Sequence, residues 1–136
     1  MKKFLFLLVI LLSTACKKDA STSTATLNEI ITPASTTISM GDFTGGTVTG
    51  TAKVYEKEGK YTLAFENFST AAGPDLHVYL SKEASPSDFI DMGKLQSTNG
   101  NQLYPISGMP DFKIYKFALI HCQQYNHLFG TAELKK

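Results

Sequence analysis

The chain has 136 residues, 43% of them hydrophobic and 18% charged, with ten glycines, five prolines and no tryptophan, which is the make-up of one ordinary globular domain. Two large domains are excluded by length. The charge comes from thirteen lysines and twelve acids, with no arginine. The chain therefore offers neither the basic stripe that neutralises phosphates nor the arginine forks that read base edges, and no nucleic acid partner is expected.

Met1 is followed by Lys2 and Lys3, the apolar run Phe4 to Leu12, and the small residues Ser13, Thr14 and Ala15 before Cys16. A charged start, an apolar centre and a small-residue cleavage site make residues 1–15 an export signal. The apolar run rises only about 14 Å as a helix, whereas crossing hydrocarbon takes about 20 residues, so no permanent membrane span is expected. Ser13-Thr14-Ala15-Cys16 resembles the lipobox of bacterial lipoproteins, with Ser13 where leucine is usual. The resemblance implies that Cys16 is acylated and becomes the first residue of the mature chain. The alternative is ordinary cleavage nearby, which leaves Cys16 as a free thiol. Several acyl chains on one residue exceed what stable anchoring takes, so the chain is expected in the bacterial cell envelope, held to the outer membrane on its periplasmic or surface face. From residue 16 on, eleven lysines stand against twelve acids, a net charge near −1 that gives the mature chain as a whole no attraction for anionic lipid.

Residues 16–37 read as a lipidated cysteine and tether. The stretch is rich in Ser, Thr and Ala, carries Pro33, and has only the short apolar patch Leu27 to Ile31, whose alternative role is an edge strand. About 20 flexible residues reach roughly 25 Å, enough to hold a domain clear of headgroups. From Ile38 the pattern changes to short runs of β-branched and aromatic residues separated by turn residues, and residues 38–136 read as an all-β antiparallel sandwich of about 7–9 short strands with one short helical turn. Thr47 to Val54 and Tyr61 to Phe68 form a hairpin about Glu58-Gly59-Lys60, with Tyr61, Leu63 and Phe65 on one face. After the turn Gly73-Pro74-Asp75, the strand Leu76 to Leu80 points Leu76, Val78 and Leu80 inward and His77 and Tyr79 outward. Ser85-Pro86-Ser87-Asp88 is the expected helical turn. Leu95 to Ser97 and Asn101 to Ile106 flank Thr98-Asn99-Gly100, a hairpin signal. Tyr115 to Cys122 and Leu128 to Leu134 close the domain.

With Cys16 acylated, Cys122 is the remaining thiol, in a space where thiols are normally paired. It is an inert buried sulfur, a thiol that oxidises or pairs with a partner, or a ligand to a metal or haem. Alternation along Tyr115 to Cys122 points His121 and Cys122 to opposite faces unless a bulge interrupts the strand, and the turn Gln123 to His127 would bring His127 back toward the sulfur. His77 is a third candidate. None of these spacings matches a zinc module, and His77 and His121 also read as satisfied or exposed imidazoles. Gln102 and Tyr104 share a face that lines a polar pocket or is solvated. There is no Gly-x-Ser-x-Gly elbow, and the acidic pair Asp88 and Asp91 sits in a turn, so no hydrolase or other enzyme activity is expected.

The residues Gly73 to Leu80, Ile90 to Leu95, Ser97 to Tyr104 and Ile120 to Leu134 together resemble the DM13 domain family. The resemblance covers about Gly41 to Leu134. It implies an extracellular all-β module that acts in electron transfer through the cysteine matching Cys122, as a bare thiol or through a prosthetic group such as haem, with a redox partner protein in the envelope. Two positions depart from the family pattern. His121 stands where an aromatic residue is common, and Gly41 to Gly46 lacks the family's histidine of the opening strands. Beside this expectation stands a non-catalytic module that binds a carbohydrate, small ligand or protein, with Cys122 buried and structural.

Overall fold

The computed structural model describes residues 34–136. The export signal, Cys16, most of the tether and the patch Leu27 to Ile31 lie outside the described residues.

Among the described residues eight strands follow one another: β1 Thr36–Thr44, β2 Thr49–Lys57, β3 Lys60–Ser69, β4 Leu76–Ser81, β5 Phe89–Lys94, β6 Asn99–Ile106, β7 Phe117–Cys122 and β8 His127–Glu133. All neighbours are antiparallel, in the order β5-β4-β7-β8-β1-β2-β3-β6. The two outermost strands, β5 and β6, touch without pairing, so the sheet is nearly closed. β1 is its corner: Thr36 to Asp42 pair with β2, and Phe43 and Thr44 pair with β8. One strand thereby serves both halves of the sandwich. The core lies between the halves, where the rings of Phe43, Phe65 and Phe68 pack at centroid distances of 5.0–5.4 Å. Val54 and Leu63 from one half and Val78, Leu80 and Ile120 from the other complete it.

The β2–β3 hairpin forms as the sequence predicts. Lys57 pairs with Lys60, and the two residues between them, Glu58 (φ 53°) and Gly59 (φ 75°), take the left-handed conformations of a type I′ turn. β4 points Leu76, Val78 and Leu80 inward, also as predicted. Elsewhere the structure departs from the expectation. Asn99-Gly100 makes no hairpin: both residues begin β6 and pair with Ser69 and Phe68 of β3. Gly100 at φ 89° and Asn67 at φ 50° instead fit a bulge, where the Asn67 N–H donates to Asn101 Oδ1 at 2.9 Å. Leu95 to Ser97 is loop, and the strand paired with β4 is Phe89–Lys94. No helix occurs among the described residues. Ser85 to Asp88 is a turn held from below by Ser81, whose hydroxyl donates to the Ser85 and Asp88 carbonyls. Tyr115 belongs to the preceding loop, its N–H bonded to the Asp111 carbonyl, so β7 starts at Phe117.

The register sorts the connections to two ends. The upper end gathers loops 45–48, 70–75, 95–98 and 123–126. The lower end holds the β2–β3 turn, loops 82–88 and 107–116, the start of β1 and the last residues of the chain.

Candidate functional site

β7 runs in regular register against β4, with Cys122 opposite Leu76, His121 opposite His77 and Ile120 opposite Val78. Directly opposed residues share a face, so Cys122 turns inward with Leu76, while His121 turns outward with His77. The adjacent His121 and Cys122 therefore point apart, as alternation predicts. Cys122 has no exposed surface and is the free cysteine of the described residues. A bulge does occur here, but in β8: Gly130 faces Ile120 and Leu128 faces His121, leaving Phe129 as the extra residue. The register sets His127 across from Cys122. Its ring is exposed and lies edge-on against Phe129, with centroids 5.4 Å apart.

The outer face of β5, β4 and β7 carries an aromatic and polar cluster. Tyr79, 2% exposed, stacks on Phe89 at 3.9 Å and lies 5.4 Å from the His121 ring. Gln123 Nε2 donates to the Tyr79 hydroxyl at 2.8 Å and to Asp91 Oδ2 at 3.1 Å. Burial raises the Tyr79 hydroxyl above its ordinary pKa, the Gln123 hydrogen bond opposes this, and the charges of Asp91 and Asp75 add to the rise. His77 is neither solvated nor free. Its Nδ1 is 3.1 Å from Asp91, and its Nε2 is 3.4 Å from Asp75, which also takes Lys94 at 3.3 Å. His121 is buried rather than exposed, and only half satisfied. Its Nε2 bonds Asn126 Oδ1 at 3.2 Å, while Nδ1 has no partner among the described residues. Thus the structure brings His77, His121 and Tyr79 onto one face, places Cys122 on the opposite one, and leaves His127 at the rim.

Beside the Leu76 end of β4 a groove of about 260 Å³ opens between the loops 73–76 and 94–98. Leu76 lines it, so the sulfur of Cys122 lies one cross-strand neighbour away from the groove. Phe129 and Leu76 both close on Gly73, where an added Cβ would lie 3.2 Å from the Phe129 ring and 2.8 Å from Leu76. Gln102 and Tyr104 are buried, and they lock the groove's outer loop. The Tyr104 hydroxyl donates to Gln102 Oε1 at 2.6 Å and accepts from the Gln96 N–H at 3.0 Å, and Gln102 Nε2 donates to the Ser97 carbonyl at 2.8 Å. Burial pushes the Tyr104 hydroxyl up to about 12, against a smaller opposing effect of the Gln96 N–H.

Among the described residues no group of three His, Cys, Asp or Glu is disposed to hold a metal. The residues do not fit a haem held at Cys122 either. The sulfur has no exposed surface, its side of the sheet is filled by the core, and the neighbouring groove of about 260 Å³ is below the roughly 300–1,000 Å³ of ligand pockets. Asp88 and Asp91 form no acid pair, since Asp88 bonds Lys82 at 2.7 Å and Asp91 bonds His77. The sequence reading missed Asp75, Phe89, Asp91, Gln123 and Asn126 as members of the outer cluster. Alternation from His77 already marked Tyr79, but the other five reach the cluster from two different loops and β5, which no local pattern reveals.

No curated protein and no solved structure matches the chain. A family model described as electron transfer DM13 matches residues 42–134, from the last three residues of β1 to the residue after β8. That span holds both faces of the Cys122 strand and every loop of the upper end. The chain belongs to the DM13 family of electron-transfer-type modules.

Proposed function

We propose that this chain is a lipid-anchored electron-transfer module of the bacterial cell envelope, held to its membrane by acylated Cys16, with its redox chemistry centred on Cys122 and its partner protein docking at the upper end. The observation that supports this reading is placement. Cys122 lies near the upper end, one cross-strand neighbour from the groove, whereas the chain enters the fold at the lower end through Thr36. A domain tethered at its lower end turns the Cys122 end toward whatever approaches.

The burial of Cys122 restricts its chemistry. A thiol with no exposed surface cannot attack or be attacked by a partner's disulfide in the folded state, because exchange requires in-line contact at sulfur. The bare-thiol form of the reading therefore needs Leu76 to move off the groove side of the sulfur. With no second cysteine among the described residues, the oxidised product is a mixed disulfide with a partner or a sulfenic acid. The second reading is favoured by the same burial: a binding module with Cys122 structural, taking a small polar ligand in the groove.

The experiment is a redox titration of the purified full chain with a thiol count and an absorbance spectrum, repeated on Cys122→Ser. The electron-transfer reading expects a redox transition that Cys122→Ser abolishes while the fold, read by circular dichroism, persists. A transition-free chain, or one unchanged by Cys122→Ser, overturns the role of Cys122 and leaves the binding module. The mass of Cys16 in the native protein reports the anchor separately.

A further inference from the structure

The mature chain as a whole is slightly acidic, yet the fold separates its charge. At the lower end, β1 from Thr36 to Met40, the loop 107–116 and residues 134–136 come together: Met40 pairs with Lys135, and Ile38 shares a groove with Phe112, Lys113 and Lys136. These segments carry Lys113, Lys116, Lys135 and Lys136 against Asp111, and the other connections of this end, the β2–β3 turn and loop 82–88, add Lys57, Lys60 and Lys82 against Glu58, Glu83 and Asp88. Of the first four lysines, Lys135 is paired, with Glu133 at 2.9 Å. All four are exposed. Of the five exposed large apolar side chains among the described residues, three, Met40 (46%), Met109 (77%) and Ile114 (48%), lie in the same segments. Two grooves, of about 360 and 280 Å³, are formed by these segments and share Ile38, Ser39 and Lys136. Ser39 is 3% exposed, and its hydroxyl has no hydrogen-bond partner among the described residues. Exposed apolar side chains interspersed with lysines form a surface built for contact rather than for water.

We propose that this lower face seats on the anionic phospholipid headgroups of the membrane to which the chain is tethered, with Met109 and Ile114 entering the interface and Lys113, Lys116 and Lys136 on the phosphates. The proposal rests on the anchored reading above, and two observations choose the occupant. The face is positive where bacterial headgroups are negative, and the described chain begins at this face, so the segment leading to Cys16 departs from it. One lipidated residue plus a basic patch is the combination that fixes both attachment and orientation. Seated in this way, the groove at the upper end faces away from the bilayer.

The test labels the full chain with bimane at Met109→Cys and, as a control at the opposite end, at Tyr125→Cys, in vesicles of equal parts phosphatidylglycerol and brominated phosphatidylcholine. The proposal expects quenching at position 109 several-fold above that at 125. It also expects the difference to vanish in Lys113→Glu/Lys116→Glu/Lys136→Glu, since each lysine near the surface contributes about fivefold to the partition. Inorganic phosphate that, at constant ionic strength set with chloride, releases position 109 as fully as charge reversal does would mark a free-phosphate site and overturn the bilayer assignment. Equal quenching at both positions, or quenching at 109 that survives charge reversal, overturns the proposal as well. Flotation after a high-salt wash reads the anchor independently: a chain that washes off but still shows the low-salt quenching pattern refutes the acylated Cys16 and keeps the face. All five substituted side chains are exposed, and retained circular dichroism confirms that each variant is folded.

Discussion

Leu76→Ala turns the enclosure of Cys122 into a rate. In the native chain the sulfur has no exposed surface, so a thiol reagent reacts only after an opening. If that opening were complete unfolding, a domain of this size, with a stability of about 5–15 kcal/mol, would label at least about three orders of magnitude more slowly than a free thiol, at 1.4 kcal/mol per tenfold. Leu76 is 7% exposed, sits directly across from Cys122 and lines the groove, so its truncation is expected to open a path to the sulfur from that side and also costs about 2–5 kcal/mol of stability. The two effects separate by comparison with Val54→Ala. Val54 is fully buried but lies on β2, in the other half of the sheet, and its loss affects Cys122 only through global stability. The assay is the labelling rate of Cys122 with a fluorescent maleimide for wild type and both variants, plotted against stability from urea unfolding. Val54→Ala should fall on the line set by stability alone, and Leu76→Ala should lie at least tenfold above it. If both variants fall on one line, the groove is no route to the sulfur, and the bare-thiol form of the proposed function fails with it.

Tyr104 makes the domain sensitive to alkali. Its folded pKa of about 12 stands above the ordinary 10.0, so the stability linked to its neutral form is fully present below pH 10 and is lost as pH rises from 10 to 12. Two units correspond to about 2–3 kcal/mol. Tyr104→Phe, which also strips the Gln96 N–H of its acceptor, should flatten the fall in urea midpoint across that range, and an unchanged slope would contradict the buried hydroxyl. His121→Phe should leave the melting temperature unchanged or raise it by a few degrees. The substitution removes a buried unpartnered nitrogen, which costs about 1–3 kcal/mol, and keeps a ring against Tyr79, at the expense of one hydrogen bond to Asn126. A large loss of stability would show that His121 Nδ1 has a partner that the described residues do not supply.

The strands of this protein were legible wherever two local signals agreed. Glu58-Gly59 between alternating runs specified the β2–β3 hairpin, and alternation along Leu76 to Leu80 and along β7 fixed which side chains turn inward, including the opposed directions of His121 and Cys122. The same rules failed at Asn99-Gly100, where a turn signal sits inside a strand because the positive φ of Gly100 serves a bulge instead. A local pattern specifies backbone conformation, and a left-handed glycine suits a hairpin and a bulge equally well. Only the partner strand decides between them.

By itself the sequence determined the all-β class, the faces of the central strands and the presence of a lone downstream thiol, because each follows from composition or from period-2 alternation within a few neighbouring residues. Tertiary structure decided what those residues meet. It buried Cys122 opposite Leu76, drew Asp75, Asp91, Gln123 and Asn126 from separate loops and strands around His77, Tyr79 and His121, and gathered four lysines at the end where the described chain begins. Burial, hydrogen-bond partners and local charge are set by pairings between residues far apart in the chain, and such pairings leave no mark in a window of ten residues.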